Sequence, residues 1–567
     1  MSARPGTRSA RAARLALACL ILLACLAAAG SWRIYSATWD EPEHLAAGIQ
    51  LFDLGLYEYD TEHPPLGRLF LAAGPYLAGA RSYGTPPPDG TQEGKDILYG
   101  GDHYELYLML ARAGTLPFLV LLLYATWLWA RRLLPSPAAA VLAVAILATV
   151  PPILGHAALA TLDIAAAGTL LLALYAMQLW MSSGRDRDAL LAGIAAGVAI
   201  ATKFSAVPFL GLSLPALALL QWLNGRRARA AGAAPLPPAR TRWGGFLLAT
   251  LAALAVVLLV YTPRASDVSG IEVRWHWAVD YLLSRHGLDH ALGVGLSHLW
   301  LPREFKDLFN GIIAVKAHND SGHRSYLLGR MSLDGWWYFY FVALAVKTPL
   351  PLLCGGPVGL WLLARAGWRN RDGWAQAPLV LLVTILAFAS AFSRINIGIR
   401  HVLILYPLLA LGAGYAAWRA WRAIQALRNR RLAFAMTTLL AAALLWQLST
   451  LPRAYPDYLP YFNETVGRHP ERVLVDSDLD WGQDLDRLED RAAQLKIAQL
   501  NLAYLGTVDL AREALPAYAV LQRFQPVHGW VAISALARAS NPPAYAWLEA
   551  YRPLERVGKT IDLYYIP

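Results

Sequence analysis

Three acidic residues stand next to long apolar segments of the chain. The pair Asp40-Glu41 directly follows the first segment, and Asp163 opens a later one. A carboxylate in such a position can take the proton from a substrate hydroxyl group, which is general base catalysis. The segment from His63 to Arg68 places a histidine and an arginine in the same loop as the acidic pair. These residue types predict a site that removes a proton beside a bound anion.

Basic residues stand within or at the ends of other apolar segments. In the topology that the loop charges indicate, Arg112, Lys203, Lys347 and the pair Arg400-His401 all fall on the outer side of the membrane. Ionisable residues at such places are costly and are functional candidates by default. We therefore expect an outward-facing polar cavity that binds an anion beside carboxylates. The alternative is that each basic side chain only reaches the lipid headgroups at its own helix end.

The elements that must position these residues are membrane helices. Of the 567 residues, 56% are hydrophobic and 16% are charged, which is too apolar for one soluble core. Runs of roughly 17 to 25 residues, long enough to cross a bilayer, begin near these residues: Leu15, Leu108, Ala138, Ile164, Ala189, Ser205, Phe246, Trp336, Ala377, Val402 and Leu432. The predicted fold class is an all-α polytopic membrane protein with about eleven transmembrane helices and a small C-terminal α/β domain.

The net charge is +11, and the basic residues that produce it stand mainly between the apolar runs. The charge therefore does not indicate a nucleic-acid partner. The loops that would be cytoplasmic carry 21 basic residues and three acids, whereas the loop 33–105 has twelve acids and four basic residues. Basic loops stay on the cytoplasmic side. We expect a bacterial inner membrane, a cytoplasmic N-terminus and a periplasmic C-terminus. Residues 15–29 also resemble a signal peptide, but its cleavage would leave the remaining topology unchanged.

The chain divides into a membrane domain, 1–450, and an extracytoplasmic α/β domain, 451–567. Two long outer loops, 33–105 and 262–335, interrupt the first domain, and a proline-containing linker, 224–243, is predicted to be a flexible tether. In the tail, alternating and apolar patterns predict strands and one amphipathic helix. The predicted strands are 473–475, 500–505, 530–534 and 560–566, and the predicted helix is 484–496.

Several motifs resemble the GT-C superfamily, in particular family 39-like enzymes such as protein O-mannosyltransferases and lipid A aminoarabinose transferases. The first 205 residues carry the most specific part of the resemblance. The motifs are Trp39-Asp40-Glu41-Pro42-Glu43-His44, Glu62-His63-Pro64-Pro65-Leu66-Gly67-Arg68, the segment from Gly155 to Asp163, Ala201-Thr202-Lys203-Phe204-Ser205, Lys347-Thr348-Pro349, Gly398-Ile399-Arg400-His401 and the segment from Asp478 to Leu485.

The resemblance implies a polyprenyl-phosphate-linked sugar donor and assigns roles to these residues. Asp40 would be the general base, and Glu41 and Asp163 would orient it, raise its pKa or bind a divalent metal ion. The leaving phosphate is already a stable anion and needs cations rather than a general acid. The residues expected to hold it are Lys203, Arg400, His63, Arg68 and Lys347.

Two departures limit the resemblance. The segment Glu62-His63-Pro64 stands where aminoarabinose transferases have a lysine before the proline, so the anion contact in this loop would fall to His63 or Arg68. The tail also does not look like the β-trefoil of eukaryotic mannosyltransferases. The acceptor therefore stays open among protein, lipid and glycan.

We predict an inverting glycosyltransferase, a hexosyl- or pentosyltransferase, that works on the periplasmic or outer face in contact with membrane lipids. A transporter or lipid-carrier flippase is the alternative from another class, and an inactive scaffold is a third. Asp40 has its own alternative, since an aspartate before a proline often caps a helix. The acids Asp476, Asp478, Asp480 and Asp484 resemble a calcium loop, but their spacing departs from it and favours helix capping and a solvated acidic face.

Overall fold

The computed structural model describes residues 7–231, 240–262, 268–285 and 301–567. It is mostly helical. The helices up to the linker are α1 Thr7–Ala29, α2 Glu41–Leu54, α3 Pro65–Leu77, α4 Gly90–Tyr99, α5 Tyr104–Ala113, α6 Leu116–Leu133, α7 Pro137–Ala148, α8 Pro151–Ala157, α9 Asp163–Ser183, α10 Asp186–Thr202 and α11 Ala206–Ala230. Pro235, Pro237 and Pro238 of the predicted linker lie outside the described residues.

The helices after the linker are α12 Arg240–Tyr261, α13 Val268–Arg285, α14 Arg303–Ser321, α15 Phe339–Lys347, α16 Leu350–Asn370, α17 Gly373–Phe392, α18 Leu405–Gln425, α19 Arg430–Ala454, α20 Leu485–Gln494 and α21 Ala535–Ser540. The predicted break at Lys347-Thr348-Pro349 separates α15 from α16. Proline has no backbone N–H to donate within a helix, and it disfavours the helical conformation of the residue before it.

Eight helical segments of the described chain are long and apolar enough to cross a membrane, and the pair α7 and α8, bent by 63°, makes a ninth if it forms one span. All eleven predicted runs form helices. The two outside this set are α10, which has 17 residues, and α18, whose second half contains Arg419 and Arg422. The polytopic all-α fold class is therefore confirmed.

Capping side chains and a left-handed glycine mark several of the helix ends. Ser136 accepts a hydrogen bond from the backbone N–H of Ala139 at the start of α7, and Asn429 caps α19 by accepting from two backbone N–H groups. These side chains satisfy donors that a helix cannot satisfy internally. At the other end of α9, Gly184 adopts the left-handed conformation that ends a helix.

A short hairpin is formed by β1 Ser325–Leu327 and β2 Arg330–Ser332. The tail contains a mixed sheet of five strands, which are β3 Gln499–Ala503, β4 Ala517–Val520, β5 Gly529–Ser534, β6 Glu555–Val557 and β7 Ile561–Ile566. Their order in the sheet is β4-β3-β5-β7-β6, with β3 parallel to β4 and β5, and β7 antiparallel to β5 and β6. The small C-terminal α/β portion is thus confirmed.

One predicted strand of the tail is wrong. Residues 473–475 form no strand in the described structure and lie between two short 3-10 turns. Leu474 and Val475 are buried, and the Val473 carbonyl accepts a hydrogen bond from the backbone N–H of Leu328 at the β1-β2 turn. The apolar run is thus buried against a loop without joining a sheet.

The loop 33–105 and the tail share one hydrophobic core. Leu45 of α2 and Leu71 of α3 belong to the same buried cluster as Leu485, Leu488 and Leu500 of the tail. Burial of apolar side chains is the main force that holds such elements together. The tail is therefore packed onto the loop that carries the acidic pair.

Candidate active site

A cavity of about 1670 Å³ lies where the loop 33–105, the long apolar helices and the tail meet. Acidic, basic and aromatic side chains line it together. Its polar lining includes Asp40, Glu43, His44, Asp60, Glu62, His63, Asp163, Lys203, His318, His323, Arg324, Arg394, Arg400, His401, Asp476 and Trp481. The cavity that the charged helix ends predict is therefore present, and five predicted site residues line it.

Asp40 precedes α2 and points into this cavity. Its side chain makes no capping hydrogen bond within the described chain, so the capping interpretation is wrong for the carboxylate. Its Oδ2 atom instead accepts a hydrogen bond from Nη1 of Arg400 at 2.5 Å. Arg400 is almost completely buried, whereas the Asp40 side chain remains 24% exposed. The carboxylate is thus paired and still accessible from the cavity.

Asp163 is the first residue of α9 and lies behind this pair. Its Oδ1 atom accepts a hydrogen bond from Nζ of Lys203 at 2.6 Å, and its Oδ2 atom lies 3.9 Å from Nη1 of Arg400. Lys203 directly follows α10, and its backbone is extended there. The order Asp40, Arg400, Asp163, Lys203 is therefore a continuous alternation of negative and positive side chains along the cavity wall.

Two further carboxyl groups of the wall have raised pKa values. Burial raises the pKa of Glu43 to about 7, with Asp60 adding to the shift. Burial likewise raises the pKa of Asp476 to about 7, although nearby Arg400 opposes the shift. Burial disfavours the charged form of a carboxyl group. Near neutral pH, these two groups therefore contribute less negative charge to the cavity than their number suggests.

His63 lines the cavity, but Arg68 does not appear among the described lining residues. The Arg68 guanidinium is fully buried and donates to the Asp60 carboxylate and to the Tyr57 hydroxyl. Asp60 in turn lies 2.9 Å from Nδ1 of His63. The predicted anion contact at Arg68 needs correction, because its donors are used to hold the loop that presents His63.

Glu41 is also outside the described cavity lining. Its carboxylate accepts two hydrogen bonds from the buried Arg112 guanidinium, both at 2.8 Å, and others from the backbone N–H groups of Thr38 and Ala160. All its strong acceptor sites are therefore occupied by structural partners. A catalytic role at Glu41 is not supported by this placement.

Lys347 joins helix α15 to the tail and does not reach the cavity in the described structure. Its Nζ atom donates to the carbonyl groups of Leu459 and Asp478 and lies 4.4 Å from the centre of the Phe462 ring. The side chain is 1% exposed. The predicted phosphate contact is corrected here too, since the ammonium group is enclosed by carbonyl oxygens and an aromatic face.

The donor set does not fit the suggested metal ion. Of the two proposed ligands, Glu41 is bound to Arg112, and Asp163 is bound to Lys203. In the described ranges no group of three or more histidine, cysteine, aspartate or glutamate side chains is arranged to hold a metal. The four tail acids instead accept hydrogen bonds from backbone N–H groups, as Asp480 does from those of Gly482 and Leu536. Asp484, which precedes α20, makes no helix-capping hydrogen bond with its side chain.

Several residues that line the cavity have no role assigned by the sequence motifs. Trp481 lies under Arg400, with the guanidinium carbon 4.5 Å from the ring centre. At another part of the wall, Nδ1 of His318 lies 2.8 Å from the Glu62 carboxylate, and Nε2 of the same ring lies 3.1 Å from His323. Trp481 belongs to the segment from Asp478 to Leu485, one of the motifs that carry the family resemblance. That motif is the sequence feature that could have indicated a role for Trp481.

Fold and cavity together define a multi-pass membrane protein with a site of alternating charges at one end of its helices. The family described as dolichyl-phosphate-mannose-protein mannosyltransferase matches residues 111–234, which include Asp163 and Lys203. This match confirms the resemblance to GT-C glycosyltransferases that the motifs indicate. No curated protein sequence gives a significant match to the chain.

Solved structures with a similar course of the chain include ArnT from Cupriavidus metallidurans bound to undecaprenyl phosphate. It shares 16% sequence identity with this chain, with 97% of each chain covered and a TM-score of 0.47. The apo state of that protein gives 16% identity, coverage of 97% and 98%, and a TM-score of 0.48. The archaeal oligosaccharyltransferase AglB from Archaeoglobus fulgidus gives 15% identity and a TM-score of 0.44, covering 77% of this chain and 55% of its own.

Proposed function

We propose that this chain is an inverting glycosyltransferase that moves one sugar from a polyprenyl-phosphate carrier to an acceptor on the periplasmic or outer face of the membrane. The observation that carries the proposal is the alternation of Asp40, Arg400, Asp163 and Lys203 along one cavity wall. It supplies one accessible carboxylate and two cations, which are the groups that transfer from a phosphate ester needs.

Lys203 and Arg400 are proposed to bind the donor phosphate. Both cations line the cavity, and each is paired with a carboxylate. Nε of Arg400 is a buried donor without a partner in the described chain. Arginine can share its several N–H groups between two anions. A phosphate can therefore be bound by Arg400 without complete loss of its contact with Asp40.

The proposed reaction uses Asp40 as the general base. Asp40 takes the proton of the acceptor hydroxyl group as the acceptor oxygen bonds to the anomeric carbon. The bond between that carbon and the phosphate oxygen breaks, and its electron pair remains on the phosphate. One displacement at the carbon inverts its configuration. The added negative charge on the phosphate is stabilised by Lys203 and Arg400, and a donated proton is not required.

The remaining predicted site residues act in this proposal through position. His63 lies at the wall where it can contact the sugar or the phosphate, and Arg68 holds its loop through Asp60. Glu41 fixes the chain just after Asp40 by its pair with Arg112. Lys347 anchors the tail next to the site. The partners are the lipid-linked donor, membrane lipids and a protein, lipid or glycan acceptor.

Transfer with purified protein tests this function. The protein is reconstituted in vesicles with polyprenyl-phosphate hexoses and pentoses labelled in the sugar, together with an extract from a strain that lacks the gene. We expect label to leave the carrier and enter an acceptor, with one free polyprenyl phosphate released for each sugar transferred. Movement of the intact labelled carrier across the bilayer without transfer would instead identify a flippase.

A further inference from the structure

We propose that Trp481 of the tail is a positioning residue that holds Arg400 and the Asp40 segment in register, so that residues 476–485 form part of the active site. The inference rests on the proposed function, because it concerns the geometry of the same base and phosphate-binding groups. It gives the C-terminal domain a direct role in the chemistry of the membrane domain.

The first observation is the packing of Arg400 on the indole ring. The guanidinium carbon lies 4.5 Å from the centre of the Trp481 ring, and Trp481 is 2% exposed. A ring against one face of a guanidinium is attractive and restricts the orientation of its plane. The edges of the group carry its N–H donors. Trp481 therefore restricts the position of the guanidinium, whose Nη1 donates to Asp40.

The second observation is that the same residue binds the chain segment before Asp40. The backbone N–H of Trp39 donates to the Trp481 carbonyl at 3.1 Å. Next to it, the backbone N–H of Ser36 donates to the Gln483 carbonyl at 3.1 Å, and the Ser36 hydroxyl donates to the Gly482 carbonyl at 3.0 Å. One turn of the tail is therefore fixed to the segment that ends at the proposed base.

The third observation is the contact of the tail with the backbone before Arg400. The Asp478 carboxylate accepts from the backbone N–H of Ile399 at 3.1 Å, and the Ser477 hydroxyl donates to the Ile397 carbonyl. Between these two bonds Gly398 has φ of +152°, and a Cβ atom there would lie 2.2 Å from Oγ of Ser477. The approach of the two segments therefore requires the glycine.

These contacts place the tail between two parts of the chain that are far apart in sequence. The segment 36–41 and the loop 397–400 are each hydrogen-bonded to residues 476–485, and this stretch of the tail therefore holds their relative position. The Trp481 side chain also contacts the Arg400 side chain. The indole should therefore affect catalysis more than it affects the docking of the tail.

The test compares Trp481→Leu and Trp481→Phe with Trp547→Leu as a control of the same residue type. Trp547 lies in the tail among the apolar side chains on the far side of the sheet and outside the described cavity lining. Using full-length protein in vesicles, we expect Trp481→Leu to lower kcat about 10²-fold, the loss typical of a misplaced catalytic group. Trp481→Phe keeps an aromatic face and should lose about threefold.

A double variant separates positioning from general stability. If Trp481 acts through Arg400, then Arg400→Met removes the group that the indole positions. Adding Trp481→Leu to Arg400→Met should then lower kcat by less than about twofold, because coupled residues are not additive. Thermal unfolding of each variant is recorded beside the kinetics. A full and independent loss in the double variant would overturn the proposal, even if the single variant is impaired.

The two proposals fail in different ways. If the wild-type protein transfers no sugar from any carrier, the proposed function is wrong. If the wild type transfers sugar and Trp481→Leu matches it in kcat, the function stands and the positioning role is wrong. Should Trp481→Leu not fold, a Trp481→Phe variant with a tenfold loss that persists on the Arg400→Met background would also overturn the role.

Discussion

Asp40 and Arg400 are 360 residues apart in the chain, and their side chains form an ion pair with a 2.5 Å contact across the cavity. The base and the phosphate-binding group of the proposed reaction are therefore in direct contact. Asp163 and Lys203 form a second carboxylate–cation pair beside the first. In the proposed reaction, a bound phosphate would share both cations with these carboxylates.

Lys203 should be needed for donor binding, and Lys347 should not. Replacing Lys203 by Met removes a cation of the cavity wall, and we expect affinity for a polyprenyl-phosphate sugar to fall about 10-fold or more, as for the loss of a charge-assisted hydrogen bond. Titration of the purified protein with labelled donor measures this. Normal donor binding by Lys203→Met would mean that the lysine only pairs with Asp163.

The matched variant Lys347→Met should lose stability instead. Lys347 donates to two buried carbonyl groups, and their loss of a partner costs about 1 to 3 kcal/mol each. Thermal unfolding should therefore occur at lower temperature, while the folded protein binds donor like the wild type. A specific loss of donor affinity in Lys347→Met would restore the phosphate-binding role predicted from the sequence.

Glu41 should be structural although it adjoins the proposed base. Its removal in Glu41→Ala leaves the Arg112 charge buried without its carboxylate, and breaking such a pair costs about 3 to 5 kcal/mol. We expect a large fall in Tm and in the yield of folded protein. The double variant Glu41→Leu with Arg112→Leu should recover part of the stability, because no buried charge is left unpaired. Stable but inactive Glu41→Ala would instead support a catalytic carboxylate.

The sequence predicted much of this site, because charged residues at the ends of apolar helices have few alternatives to a polar cavity. Asp40, Asp163, Lys203, Arg400 and His63 all line it. Periodicity also predicted the amphipathic helix and three strands of the tail.

Other parts depend on contacts between distant segments. Nothing in the spacing of Arg68 reveals that Asp60 and Tyr57 occupy its donors, nor that Lys347 meets carbonyl groups of the tail. The strand predicted at 473–475 failed for the same reason, since a short apolar run is buried equally well against a loop. The role of Trp481 follows only from its position under Arg400.

The tail should be more stable in mild acid than at alkaline pH. Burial, with the charge of Glu513, raises the pKa of Asp486 to about 7. A raised pKa in the folded state means that the folded protein holds the proton more tightly than the unfolded chain. The resulting stabilisation is complete below pH of about 4, the ordinary value, and it is lost as pH rises through 7.

Asp486→Asn tests this pH dependence, with Glu549→Gln at an exposed position of the tail as the control. The asparagine stays neutral, so Tm at pH 8 should rise by about 2 °C relative to the wild type, with little change at pH 5. Differential scanning measurements in detergent at both pH values give the result. Equal shifts for the two variants at both pH values would exclude Asp486 as the source.

Orientation can be tested independently of activity. The excess of basic residues in alternate loops predicts that the N-terminus is cytoplasmic and the tail periplasmic. A reporter that is active only in the periplasm should work when fused after Ala454 and should be silent when inserted within 224–243. The reverse pattern would place the proposed site on the cytoplasmic face and contradict the topology.

The central claim is that Asp40 is the general base, and the transfer rate of Asp40→Asn tests it most directly. Asparagine keeps the shape and can accept the hydrogen bond from Arg400, but it cannot take a proton from the acceptor. With cognate donor and acceptor, we expect kcat to fall about 10² to 10⁴-fold, while donor binding and Tm stay near wild type. Asp53→Asn, on the same helix α2 and outside the described cavity lining, should transfer normally. Near wild-type turnover by Asp40→Asn would contradict the account.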